Sequence, residues 1–291
     1  MQRLLIVGCG DVVRRALPEL TRQWRVYALT RERDAGLKAL GVTQIVGDLD
    51  RPITLRRLAG LADAVLHSAP PAESGADDPR TRRLIAALSR GSLPRRLVYI
   101  STSGVYGDCA GQRVDETRRV APQTARAERR VAAEQLLRRL GRSGRCRVSI
   151  LRAPGIYAAD RLPLDRLRRG LPVFERGEDS ITNHIHADDL AAACTAALSR
   201  GTANRIYNVC DDSAIAMGDW YDKLADAFAL PRPPRRPRAV VALEVSPLVL
   251  SFMVESRRLD SRRLKRELKV RLRYPTVDAG IAAAKGSSCS G

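Results

Sequence analysis

Lysine, aromatics, histidine and paired cysteines are all scarce in this chain, and each scarcity removes a class of explanation. Only five of its 51 basic residues are lysine; the rest are arginine. Aromatic residues make up 4% of the 291 positions, and no nucleic-acid motif accompanies them, so a stacking platform for nucleic acid is absent. The three histidines and six cysteines form no CxxC pair and no metal-type grouping. That excludes the usual zinc frameworks and points to isolated, reduced thiols in a cytoplasmic protein. The longest apolar stretch, Ala239–Val254, is broken by Glu244 and Pro247, which argues against a membrane span and a membrane partner. The opening MQRLLIVGCGD does not read as a signal peptide, because its short apolar run passes straight into a glycine turn.

What is present is a large excess of positive charge, +19 at neutral pH. Such a charge suits an anionic partner. Here the arginines are spread over nearly every helical segment rather than gathered into a tail or stripe, which argues for a solvated surface over a nucleic-acid interface. Hydrophobic content of 44% is ordinary for a folded protein and excludes general disorder.

Apolar runs alternate with amphipathic segments through the first half. Leu4–Val7, Val26–Leu29, Gln44–Val46, Ala64–Leu66, Leu97–Ile100 and Val148–Leu151 read as strands. Val12–Thr21, Ala35–Leu40, Leu55–Leu61, Arg80–Arg90 and Ala125–Leu140 read as the helices between them. This alternation predicts an α/β fold, a doubly wound and mainly parallel sheet of Rossmann type. Past Leu151 the pattern loosens, Arg205–Val209 reads as one more strand, and 285–291 as a flexible tail. Within the later part, RAPGIYAADRLP (152–163) reads as loop, PRPPRRPR (231–238) as a stiff basic connector, and Ser256–Leu268 as a helix.

LLIVGCGDVVRRAL is a strand, a glycine turn and a helix. Gly8 suits the tight turn, and Gly10 lets backbone approach a pyrophosphate at the helix N-terminus, beside Asp11 and Val12. Val13 takes the place of the third glycine of G-x-G-x-x-G, which implies slightly wider helix–strand packing. The second strand ends in ALTRERD, with no acidic residue next to it. Arg31, with Arg33 nearby, matches the 2′-phosphate of NADP in charge and in its forked donors, so NADP is expected and NAD is the alternative. Asp48 in VGDLD can accept from the adenine amino group or cap the next helix. Ala69 follows the fourth strand.

GCGDVV, VGDLD, AVLHSAP, VYISTSGVYGD, APQ followed by RVAAEQ, LRAPGIY, HIHADDL and RIYNVCDD occur in the order of the extended short-chain dehydrogenase/reductases. The resemblance, from Arg3 to about Ala279, is to the epimerase/dehydratase-like branch and to its atypical members. It implies a cofactor-binding Rossmann domain over residues 1–155, to which a strand near 205–209 returns, and a smaller C-terminal substrate domain built mainly from 156–284, with a catalytic Ser/Thr after the fifth strand and Tyr-x-x-x-Lys on the next helix. Aligned on VYG, Thr102 falls on the Ser/Thr position, with Ser103 beside it. Aligned on Glu134, the lysine position is Arg130 and the tyrosine position is Arg126. Arginine stays protonated at any working pH and cannot replace a tyrosine acid–base. Arg126 and Arg130 share one helix face, which suits a substrate carboxylate and a cofactor ribose or phosphate respectively. The alternative is a surface-like helix with Arg130 paired to Glu134. Tyr106 and Tyr157 are the candidates to replace the missing catalyst.

The expectation is therefore an NADP(H)-binding protein. It would carry out oxidoreductase or epimerase-like chemistry on a small polar or nucleotide-linked substrate. A non-catalytic NADP-responsive regulator is the alternative, and a basic nucleic-acid binder the second alternative. Oligomeric state is not legible.

Overall fold

The structure is a computed structural model that describes residues 1–288. In chain order its strands are β1 (Arg3–Val7), β2 (Arg25–Thr30), β3 (Thr43–Val46), β4 (Ala64–His67), β5 (Arg96–Thr102), β6 (Arg113–Val114), β7 (Arg147–Ala153), β8 (Gly155–Tyr157), β9 (Val173–Phe174), β10 (Ile181–His186), β11 (Arg205–Asn208), β12 (Ala214–Ala216), β13 (Arg235–Arg236) and β14 (Arg258–Leu259). The helices are α1 (Asp11–Gln23), α2 (Ala35–Ala39), α3 (Pro79–Leu88), α4 (Ala125–Arg142), α5 (Leu164–Arg168), α6 (Ala187–Arg200), α7 (Met217–Ala227), α8 (Arg238–Glu244), α9 (Pro247–Met253), α10 (Arg262–Glu267) and α11 (Val277–Ser288).

Seven strands form one parallel sheet in the order β11-β7-β5-β4-β1-β2-β3. Its strands are buried on both faces, so alternate residues enter two different cores. Leu4 and Ile6 pack with α1, α2, α6 and α10 on one side. Leu5 and Val7 pack with α3 and α4 on the other. The expected α/β architecture is the observed one. Because β4 lies beside β1 rather than β3, the strand order reverses there, and the crevice beyond β1 and β4 is where such sheets bind ligands.

A third core forms mainly from α5, α7, α8, α9 and α11, around Leu167, Phe174, Trp220, Tyr221, Val241 and Met253. It stands over the same end of the sheet as the ends of β5 and β7. The segment 152–163 is not all loop: β8 pairs in parallel with β10. The segment 256–268 is not one helix. Asn183 binds its backbone at Arg257 and Leu259, Asn208 reaches Asp260, and only Arg262–Glu267 is helical. Within 231–238, Arg235 is held by Asp179, Asp219 and Asp222, which fixes β13 against β9. These extended pieces are local in sequence but paired through distant partners. Of the expected tail, residues 285–288 continue α11, and 289–291 lie outside the described residues.

One buried ion pair ties the large sheet to α4. Glu134 and Arg152 are 4% and 3% exposed. Arg152 donates to both carboxylate oxygens, at 3.0 and 2.6 Å, and the Ser101 hydroxyl donates to the same carboxylate at 2.7 Å. Burial works against the Arg152 charge, yet the Glu134 carboxylate holds its pKa above the ordinary value. Removing one member of such a pair leaves an uncompensated buried charge. Glu134→Ala is expected to lower the unfolding free energy by about 3–5 kcal/mol. Urea denaturation checks this, and a loss below about 1 kcal/mol would mean that the pair does not anchor the helix.

Candidate active site

Two cavities open at the C-terminal end of the sheet. The first, about 740 Å³, lies beyond β1, β2 and β4, and is lined by Gly8, Thr30, Arg31, Asp34, Asp48 and Ala69 among others. Gly8 adopts φ +90°, and a Cβ there would sit 2.4 Å from the Ala69 amide nitrogen, so only glycine fits. Gly10 has open space where its side chain would be, immediately before the N-terminus of α1. Such a helix end, with unbonded N–H groups and open backbone, suits an anion.

The charged groups around this cavity divide into committed and available ones. Asp34 is committed: one oxygen caps α2 by accepting from Leu37 N, and the other pairs with Arg14. Arg14 holds its carboxyl below the usual carboxylate range. Asp48 accepts from the Asp50 amide at 2.9 Å. Arg31 is exposed and has no carboxylate within 4.0 Å among the described residues, while the Thr30 hydroxyl in the same wall is buried without a partner. Arg33 does not line the cavity. Asp11 turns away to Arg15 and Arg161, and Val12 packs partly against the core. Val13 is also buried there. Arg14, in the first turn of α1, was not singled out in the sequence; a cation one residue past the glycine motif was the available signal.

The second cavity, about 390 Å³, lies between the ends of β5 and β7 and the third core. Thr102, Ser103, Arg126 and Tyr157 all line it, so three separated stretches of sequence meet at one site. The Thr102 oxygen accepts from Gly104 N at 3.2 Å, which orients the hydroxyl and leaves its proton to donate. Arg126 lies over the Phe252 ring at 4.2 Å. Trp220, Phe252 and Met253, in segments without a recognition motif, form much of the remaining wall.

Other candidates stand elsewhere. Tyr106 is 1% exposed and does not line either cavity; its hydroxyl donates to Asn208 at 2.7 Å, and burial pushes its pKa up to about 12. Tyr157 presents its ring to the second cavity, while its hydroxyl donates to the Thr276 carbonyl at 3.4 Å, and burial raises its pKa. Arg130 does not pair with Glu134. It donates to the Tyr99 hydroxyl at 2.9 Å and the Ile100 carbonyl at 2.8 Å, a strut from α4 to β5. His67 is buried against Thr81 and Tyr99 and its pKa falls to about 4 through burial.

Below the second cavity, the Asp211 amide donates to the His184 carbonyl. Burial pushes the Asp211 carboxyl up to about 8, against the hydrogen bond from Ser213 N. Its protonated form therefore stabilises the fold. That contribution is complete below the unfolded value of about 4 and is lost as pH rises toward 8. Asp211→Asn keeps an oxygen for Ser213 and cannot ionise. Its melting temperature should match the parent near pH 4 and exceed it at pH 8. Parallel thermal curves at both pH values would show that the carboxyl does not titrate in this range.

Residues 8–210 match the model of the NAD dependent epimerase/dehydratase family. Protein YeeZ of Escherichia coli (strain K12) is 29% identical over 175 residues, covering 59% of this chain and 61% of that protein, so the alignment spans less than two thirds of the relative. The solved structure of a functionally unknown conserved protein from Silicibacter pomeroyi superposes with a TM-score of 0.82 at 28% identity over 99% of both chains. The UDP-glucose 4-epimerase of Thermotoga maritima, solved with UDP-glucose, superposes with a TM-score of 0.80 over 99% of both chains. At 16% identity that likeness is one of fold.

Proposed function

Because this chain belongs to the NAD dependent epimerase/dehydratase family, we propose that it is a nicotinamide-dependent oxidoreductase that prefers NADP(H) and works on a carbonyl or hydroxyl group held in the second cavity. The observation that carries this reading is the pairing of the two sites. A glycine turn that tolerates no side chain faces one cavity, and Thr102 faces the next.

Gly8, Gly10 and Ala69 would hold the dinucleotide against the N-terminus of α1, with Arg31 at the 2′-phosphate. The nicotinamide supplies or accepts the hydride when bound. Asp34 is withdrawn from ribose recognition by Arg14 and by its helix cap, which leaves Arg31 to decide between NADP and NAD. At the substrate, Thr102 and Arg126 are both donors. Thr102 can donate to an oxygen that gains negative charge, Arg126 can hold an anionic group beside it, and neither can remove a proton from a hydroxyl. The step proposed is carbonyl reduction, in which the hydride comes from the bound nicotinamide and the proton from water, so that no protein base is required.

The Arg130 strut favours a second reading, a cofactor-responsive protein without turnover. Its guanidinium is engaged by Tyr99 and Ile100. A nucleic-acid role has less support: many arginines are paired with carboxylates, as at Arg80, Arg205 and Arg232.

Calorimetry with NADPH and NADH separates the cofactor claims. NADPH should bind more tightly, and Arg31→Asp should remove about 1.5–3 kcal/mol from NADPH alone. Equal affinities in the parent would overturn the assignment of Arg31. NADPH-dependent reduction of aldehydes and ketones tests the reaction. Thr102→Val should lower kcat by about 10²-fold or more, the usual effect of losing one donor to a developing oxyanion. Tight NADPH binding with no turnover on any carbonyl would leave the regulatory reading in its place.

A further inference from the structure

The substrate cavity differs in character from one built for a sugar nucleotide. Met217, Trp220, Tyr221, Val249, Phe252 and Met253 give it an apolar and aromatic wall. Several of its polar and charged groups are spent within the protein. Asn183 uses its amide on Arg257 and Leu259. Arg257 pairs with Glu255, and Arg161 with Asp11. The His184 ring lies 4.3 Å from Trp220, tilted by 31° against it, and its Nδ1 is buried without a hydrogen-bond partner among the described residues. Burial drives its pKa down to about 3, so it brings no charge.

Arg126 remains. It has no carboxylate within 4.0 Å among the described residues and lies over Phe252 at the cavity wall. A sugar carries several hydroxyls, each of which loses water on entry and must regain a partner. A diphosphate also needs more than one uncommitted cation. Beyond the wall, α8 and α9 expose Leu243 at 89%, Leu248 at 59% and Phe252 at 47%, so the roof around the cavity is apolar outside as well as within.

Building on the oxidoreductase reading above, we propose that this cavity takes an amphiphile. An apolar or flat aromatic body would lie against Trp220, Phe252 and Met253, and a single anionic head would meet Arg126. The substrate class is accordingly an apolar keto acid or its hydroxy counterpart, in place of the small polar or nucleotide-linked molecule expected from the family resemblance.

The test uses the full chain and cis-parinaric acid, a fluorescent apolar carboxylate. Its emission should rise on saturable one-to-one binding and quench tryptophan emission, since Trp220 lies in the wall. Dodecanoate should displace it, methyl dodecanoate should do so several-fold less well, and UDP-glucose should not displace it. Phe252→Ser should weaken binding by about tenfold through lost apolar contact. Arg126→Gln should erase the difference between acid and ester. Circular dichroism of both variants shows whether they fold, and NADPH calorimetry on the same samples judges the cofactor site separately. Displacement of parinaric acid by UDP-glucose would overturn the proposal. So would parinaric binding that neither folded variant alters. Failure to bind NADPH, with these results intact, would count against the cofactor reading alone.

Discussion

Glu134 and Arg152 meet where the longest helix crosses the two strands that end at the substrate cavity. Two desolvated charges are costly unless they are paired and hydrogen-bonded. Here the carboxylate takes Arg152 Nε and Nη2 and the Ser101 hydroxyl, while Arg152 Nη1 has no hydrogen-bond partner among the described residues and the guanidinium lies 4.7 Å from the Tyr106 ring. The pair therefore fixes the rotation of α4 against β5 and β7. Arg130 and Arg126 stand one and two turns earlier on the same face. With Glu134 anchored, Arg130 falls on the end of β5 and Arg126 at the cavity. A single face thus runs from a buried lock, through a strut, to a free cation.

That geometry bears on the two positions where the family resemblance implies a tyrosine and a lysine. Arg130 occupies the lysine position and spends its donors on Tyr99 and Ile100. The helix–strand contact is kept without a lysine. Arg126 occupies the tyrosine position and offers only positive charge. On that alignment an electrostatic group stands where the family resemblance implies an acid–base one. Such a group can stabilise an oxyanion or hold a carboxylate, but it cannot accept a proton. The two candidate tyrosines are turned to structure: Tyr106 to Asn208, and Tyr157 to Thr276.

The second half of the chain shows why its polar side chains were poor guides to substrate. Asn183 and Asn208 are polar residues near the site, yet both spend their amides holding the 257–260 backbone in extended form. His186 and Asp188 resemble an acid–base pair, but the His186 ring nitrogen caps the Asp188 amide at 3.2 Å, opening α6.

Local pattern determined the parallel sheet, the glycine turn and the positions of β1 to β5 and β7; the two-residue β6 (Arg113–Val114), paired with the distant β14, left no such pattern. Strand-length apolar runs and a turn that needs φ > 0 are properties of neighbouring residues. Arg31 was legible for the same reason, as was the absence of tyrosine and lysine from α4. Only the tertiary structure decided which charges are free. Asp34 is neutralised by Arg14 on another helix, Arg130 is bonded to β5 rather than Glu134, and Asp11 is drawn to Arg161. It also decided that Thr102, Tyr157, Trp220 and Phe252 share one cavity. Pairing and burial depend on groups far apart in the chain, and no periodicity within one segment records them.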